Sequence, residues 1–224
     1  MSIFLDTSDV SEIKFFHEMG IIKGVTTNPS IMLKEGIKGG ISGIKEASIN
    51  IANLIAPLPL SVEVISNNYD DIINQSKEFS SWANNINVKI TIHGPNGELE
   101  NLVAVNKLEK EENIRVNVTA MMSTQQCYLA AMAGASFVSI FGGRVNNMGY
   151  SSNDEIKKLR KLIDDFGLNS KIIVGSTREA LNVTEWLLNG AHIVTCTPDF
   201  IKTMIVHPYS KETVKMFLDD AKKL

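Results

Sequence analysis

The chain has 224 residues, 44% of them hydrophobic and 21% charged, with a formal net charge of −3. This is enough material for one large domain with a full core, and it carries no basic surplus that would draw nucleic acid. No apolar run reaches the roughly 18–20 residues a membrane-crossing helix needs, and no signal-like leader precedes the strand-like run at Ile3, so a cytoplasmic protein without nucleic-acid or membrane partners is expected.

From the N-terminus, β-rich runs alternate with stretches of helical periodicity. A strand over Ile3–Asp6 leads to a helix opened by Ser8 and Asp9 and continued through Ile13, Phe16 and His17. Ile22–Thr26 is followed by Ile41–Leu54, Ser61–Ile65 by Tyr69–Trp82, and Val88–Ile92 by Glu98–Leu108. Ile114–Val118 then leads to Thr124–Met132, Phe137–Phe141 to Asp154–Phe166, Ile172–Ser176 to Arg178–Leu188, and His192–Cys196 to Asp199–Val206. A last helix over Lys211–Lys223 closes the chain. Such strand–helix alternation implies a parallel sheet. Eight units without a linker imply an α/β fold of one domain over residues 1–224, a closed (β/α)8 TIM barrel. An open doubly wound sheet fits less well. No Gly-x-Gly-x-x-Gly turn follows any strand, and the strands are not apolar on both faces.

Side chains alternate across a strand. Val88 and Ile90 therefore face one way, and Lys89 faces the other with Asn87 and Thr91. A lysine held off water loses proton affinity and becomes an amine nucleophile. Other polar residues fall inside strands or at their carboxyl ends, where such barrels build active sites: Asp6, Thr26, Thr27, Asn28, Glu63, Asn117, Thr119, Ser139 and Ser176. Each has a plainer reading. Asp6 or Asn28 would serve as a helix cap. Glu63 and Lys89 would form a buried ion pair, a poor route to stability. Ser139 would fill a layer.

Arg144 follows Gly142-Gly143, and Ser176 and Arg178 flank the end of the seventh strand at the start of a helix. Two arginines and helix N–H donors suit a phosphate, although both arginines are also compatible with a solvated surface. Among the four histidines, His93 is the one placed for either loop hydrogen bonding or substrate contact, because it follows the lysine strand. His17 and His207 read as structural or exposed, and His192 as the start of the eighth strand. No zinc or other metal spacing occurs, Cys127 and Cys196 read as buried free thiols, and neither metal nor cofactor is expected.

Residues 3 to about 220 resemble the transaldolase family, in particular its small single-domain members, which include the fructose-6-phosphate aldolases. The matching segments are Phe4-Leu5-Asp6-Thr7, Gly24-Val25-Thr26-Thr27-Asn28-Pro29-Ser30, Ser61-Val62-Glu63-Val64, Val88-Lys89-Ile90 and Asn117-Val118-Thr119. Ala133–Ser139, Gly143-Arg144 and Ser176-Thr177-Arg178 match as well. The resemblance implies that Lys89 forms a Schiff base and that Asp6 is the acid/base at the cleaved bond. It implies that Glu63 and Thr119 hold the water for proton transfer. It places Asn28, Asn117 and Ser139 on the hydroxyls of the three-carbon unit and Arg144, Ser176 and Arg178 at the substrate phosphate, with Thr26 and Phe141 as further substrate-binding residues.

The aldolase branch typically has glutamine and tyrosine where this chain has Glu63 and Phe141, which favours transfer of a dihydroxyacetone unit between sugar phosphates, as in the pentose phosphate pathway. The alternatives are a fructose-6-phosphate aldolase and a sugar-phosphate-binding barrel with impaired turnover. The last is motivated by Thr91-Ile92-His93, where the family usually has a proline two residues after the lysine. By resemblance the chain is expected to be a homo-oligomer, a pentamer or decamer, with residues 211–224 either reaching a neighbouring subunit or packing on their own barrel.

Overall fold

The computed structural model describes residues 1–224. Eight strands form a closed parallel barrel in chain order: β1 (Ser2–Asp6), β2 (Ile22–Thr26), β3 (Leu60–Glu63), β4 (Ile86–Thr91), β5 (Val116–Met121), β6 (Phe137–Ile140), β7 (Lys171–Val174) and β8 (Ile193–Cys196). The helices are α1 (Val10–Glu18), α2 (Pro29–Lys34), α3 (Gly40–Ile55), α4 (Tyr69–Ser81), α5 (Glu100–Lys110), α6 (Thr124–Met132), α7 (Gly142–Asn147), α8 (Ser152–Asp165), α9 (Ala180–Leu188), α10 (Pro198–Ile205) and α11 (Pro208–Ala221). The (β/α)8 expectation is therefore met. No helix is long and apolar enough to cross a membrane.

Alternation along the strands splits the apolar residues into two cores. Outward-facing Leu5, Val62, Val88, Ile90, Val118, Val138 and Val194 join the helices in one cluster of 44 buried residues. Inside the barrel, Phe4, Ile173 and Ile193 form a separate cluster, with Phe137 packed against it. Phe4 needs the space that Gly24 leaves open: a Cβ there would lie 2.6 Å from the Phe4 ring.

Sequence and structure part at three places. Strands β3 and β7 stop at Glu63 and Val174, short of the expected Ile65 and Ser176, while β5 runs on to Met121. That extension contains a bulge, because the β5–β6 register shifts between Val118 and Met121 and Ala120 adopts φ 62°. Helices α2 and α7 follow their strands at once and are too short to show a helical period. The start of α2 is nonetheless encoded, by Pro29 in its first turn and by Asn28, whose side chain accepts from the Ile31 N–H. Finally, α11 begins at Pro208 and buries no residue, and everything from Lys202 to Leu224 is exposed.

Candidate active site

Lys89 projects from β4 into the barrel and is 5% exposed, whereas Val88 and Ile90 are fully buried among the helices. The register sets Glu63 beside it on β3 and Asn117 beside it on β5. Its Nζ lies 3.1 Å from Glu63 Oε2 and donates to the Thr27 carbonyl at 3.1 Å. These partners hold the nitrogen at the carboxyl end of the lumen and away from bulk water.

Around this nitrogen stand two hydrogen-bonded chains. In the first, Thr26 Oγ1 donates to Asp6 Oδ1 at 2.6 Å and lies 2.6 Å from Thr195 Oγ1. Burial pushes the Asp6 carboxyl above the usual carboxylate range. The negative charge of Glu63 acts in the same direction, while Lys89 and the Thr26 bond oppose it. In the second, Ser139 Oγ donates to Asn117 Oδ1 at 2.6 Å, and Asn117 Nδ2 donates to Ser61 Oγ at 3.1 Å. Both of these groups of side chains are held from three different strands. Two neighbours remain without a protein partner: Thr119 Oγ1, and both carboxamide atoms of Asn87, which is 1% exposed.

A cavity of about 200 Å³ opens above these groups. Asp6, Thr26, Asn28, Lys89, Thr119, Ser139, Phe141, Arg144, Ser176 and Arg178 all line it. Glu63 lines an adjoining cavity that shares Asp6, Asn28, Lys89 and Arg144, and Asn117 lies beneath Ser139. Asn28 caps α2 and also lines both cavities. Asp6 caps no helix; Asp9 caps α1.

The cationic end depends on contact between two loops. A Cβ on Gly143 would lie 1.8 Å from the Ser176 carbonyl oxygen, so only glycine lets the segment after β6 lie against the loop after β7. This brings Arg144, Ser176 and Arg178 to one side of the cavity. The Arg144 guanidinium packs 4.7 Å from the centre of the Phe141 ring. Ser176 holds φ 61°, a left-handed conformation uncommon for serine. Contrary to the sequence reading, neither Ser176 nor Arg178 opens a helix. Ala180 begins α9, and the N–H groups of Arg178 and Glu179 are taken by Asn182 Oδ1. The start of α9 therefore does not face this end, which is formed by the arginine side chains and the first turn of α7.

His93 resolves to its plainer alternative. It is exposed, its Nδ1 lies 2.6 Å from the Gly94 carbonyl oxygen, and it does not line the cavity. Thr91, where a proline is usual, donates to the His93 carbonyl at 3.0 Å and accepts from Asn101 Nδ2 at 3.0 Å. The departure from the usual motif is thus absorbed in the loop and does not touch Lys89.

The sequence reading overlooked Thr195 and Cys196, both on the cavity wall. Thr195 was legible by alternation, since it shares the inward parity of Ile193. Burial and the nearby Asp6 charge push the Cys196 thiol up to about 12, which leaves it unreactive. No group of three or more His, Cys, Asp or Glu side chains converges to hold a metal ion.

Residues 3–224 match the sequence model of the family described as transaldolase/fructose-6-phosphate aldolase. A Bacillus cereus protein named "Probable transaldolase 1" is 37% identical over 223 residues, covering 100% of this chain and 98% of that one. A "Probable transaldolase" of Leptospira biflexa is 34% identical over 224 residues, covering 100% and 99%. Among solved structures, thiamine phosphate pyrophosphorylase from Pyrococcus furiosus superposes with a TM-score of 0.60 at 11% identity, covering 88% of this chain and 85% of that one. That likeness concerns the fold alone.

Proposed function

The chain belongs to the transaldolase/fructose-6-phosphate aldolase family, and from that premise we propose that it is a transaldolase acting through a Schiff base on Lys89. It moves a dihydroxyacetone unit from a ketose phosphate, such as sedoheptulose 7-phosphate or fructose 6-phosphate, to an aldose phosphate. The observation that carries this reading is the placement of Lys89: a nearly buried amine inside the barrel, 3.1 Å from a carboxylate and on the wall of a cavity that also exposes Asp6.

In the proposed sequence, Lys89 adds through its side-chain nitrogen to the ketose carbonyl carbon, its proton passing to the neighbouring carboxylate, and loss of water leaves an iminium. Glu63 lies beside the nitrogen, and the free hydroxyl of Thr119 shares the same cavity. Together they hold the water that carries protons during these steps. Asp6 then takes the proton of the hydroxyl next to the scissile bond. That carbon–carbon bond breaks, its electron pair passes to the iminium, and an aldehyde leaves an enamine behind. Attack of the enamine on a second aldehyde, return of the proton from Asp6, and hydrolysis of the new iminium release product and restore the amine. Asn28, Asn117 and Ser139 hold the hydroxyls of the retained unit, with Thr26 and Phe141 on the cavity wall. Arg144, Ser176 and Arg178 bind the phosphate, two of them with charge-assisted hydrogen bonds.

Borohydride reduction in the presence of fructose 6-phosphate tests this. An adduct is expected on Lys89 by intact mass and peptide mapping, and none in Lys89→Ala. The absence of an adduct in the wild-type protein favours a binding-only barrel. Turnover of fructose 6-phosphate that needs erythrose 4-phosphate marks a transaldolase, while fast release of dihydroxyacetone without an acceptor marks an aldolase.

We also propose that the protein is a homo-oligomer in which α11 packs on another copy. The helix carries Val214, Met216, Phe217 and Leu218, all more than half exposed, and buries nothing against its own barrel. Light scattering of the full chain and of a chain ending before Pro208 tests this. An oligomer that survives the truncation unchanged rules it out.

A further inference from the structure

We propose that Thr195 is a positioning residue for Asp6: acting through Thr26, its hydroxyl sets the direction of a two-hydroxyl chain that ends on the carboxylate. This rests on the reading of Asp6 as the group that takes the substrate proton.

A threonine hydroxyl has one proton to donate. Thr26 Oγ1 donates to Asp6 Oδ1 at 2.6 Å. The Thr26 and Thr195 oxygens are also 2.6 Å apart and buried. Since the Thr26 proton points at Asp6, the proton between the two threonines comes from Thr195. With Asp6 ionised, the chain therefore runs from Thr195 to Thr26 to Asp6. Reversal would set a Thr26 lone pair against the carboxylate, and it becomes favourable only when Asp6 itself carries a proton and donates it. The direction of the chain thus follows the charge of Asp6.

The surroundings fix Thr195 for this task. It is 6% exposed, and β8 pairs it with Phe4 of β1, two residues before Asp6. Its methyl carbon lies 3.2 Å from the position a Cβ would take on Gly175, so the methyl faces that glycine while the hydroxyl faces Thr26. Its carbonyl is pinned by the Thr177 hydroxyl at 3.0 Å. Hydrogen bonds in a chain polarise one another by about 10–30% each in a low-dielectric setting. The Thr195 bond therefore strengthens the Thr26 bond and favours the ionised carboxylate, against the burial that disfavours it. The other charged or titratable groups around Asp6 are Lys89 from β4, Glu63 from β3 and Cys196 from β8, with Arg144 of α7 and Arg178 of the loop after β7 across the cavity.

The test is Thr195→Val, which keeps the methyl and the shape and removes only the hydroxyl, with Thr195→Ser as the rescue. The acid limb of the kcat–pH profile for transfer from fructose 6-phosphate to erythrose 4-phosphate should move up by about half a unit in the valine variant. On the acid limb kcat should therefore fall by up to about threefold and converge on the wild-type value at the plateau, with KM changed by less than about twofold. Serine should restore the wild-type profile. Borohydride trapping of dihydroxyacetone on Lys89 should be equal in all three proteins, which shows that the site is folded. A valine profile that superimposes on wild type overturns the proposal, as does failure of serine to rescue or loss of the Lys89 adduct in the valine variant. A wild-type protein that forms no Lys89 adduct overturns the underlying reading of the site, and the two failures are thereby told apart.

Discussion

Two groups of side chains share the inside of the barrel and behave in opposite ways. Phe4, Ile173 and Ile193, with Phe137 against them, form an apolar plug. The inward parity of β3, β4 and β5 is held by Ser61 and Glu63, by Asn87, Lys89 and Thr91, and by Asn117 and Thr119, all polar. The plug removes apolar surface from water and stabilises the fold. The polar group takes an ion pair, an unpartnered carboxamide and several hydroxyls out of water, where desolvation offsets much of the gain. One sheet thus carries a region that supports the fold and a region that weakens it.

Substitutions on each side should move stability in opposite directions. Phe4→Ala should have the largest effect, a loss of about 3–5 kcal/mol by urea unfolding, because the ring fills the space over Gly24. A loss below about 1 kcal/mol would remove the plug from the account. Asn87→Val should go the other way and stabilise by about 1–3 kcal/mol, since it deletes a buried amide with no protein partner. Equal or lower stability would show that the carboxamide is satisfied in solution.

Asp6→Asn should raise Tm at pH 7 by about 2–4 °C, the change expected for roughly 1 kcal/mol at this size. Burial holds the folded carboxyl above its usual range, so the unfolded chain releases the proton first and ionisation subtracts stability once the pH exceeds the unfolded value. The gain should vanish towards pH 3, where the carboxyl is protonated in both states. A gain that persists there would assign it to packing.

The smallest effect is expected at the opposite end of the barrel. Burial, with Arg160 and Lys171 nearby, depresses His192 to about 4, and its Nδ1 accepts from the Ile172 N–H at 3.0 Å. Folded stability should be fully present above pH 6.5 and should fall as the pH drops from 6.5 towards 4, because the unfolded chain takes up a proton that the folded chain does not. His192→Asn keeps an acceptor without that proton. Its Tm should change less between pH 7 and pH 5 than that of the wild type, and parallel curves would discount His192.

Much of this architecture was legible in advance. The alternation through Asn87–Thr91 placed Lys89 opposite Val88 and Ile90, and the strand–helix rhythm pointed to the barrel. The short helices α2 and α7 were not legible, because six residues cannot display a 3.6-residue period. Of the two arginines and the helix start expected at the positive end, the arginines line the cavity, but β7 stops at Val174 and α9 starts at Ala180, so Ser176 and Arg178 lie in a loop. His93 follows the lysine strand in sequence and still turns outward, because the Thr91 hydroxyl and the Gly94 carbonyl hold it in the loop.

By itself, then, the sequence determined which residues face inward and which outward, since that follows from a two-residue period carried by each strand alone. Closure of the barrel decided which inward residues meet. Thr26 and Thr195 stand 169 positions apart and touch across the lumen, and Asp6 shares their hydrogen bonds. Parity is a property of the local backbone. The partners of Asp6 and Lys89 depend on strand order, register and the approach of glycine-bearing loops, which exist only once all eight strands have joined.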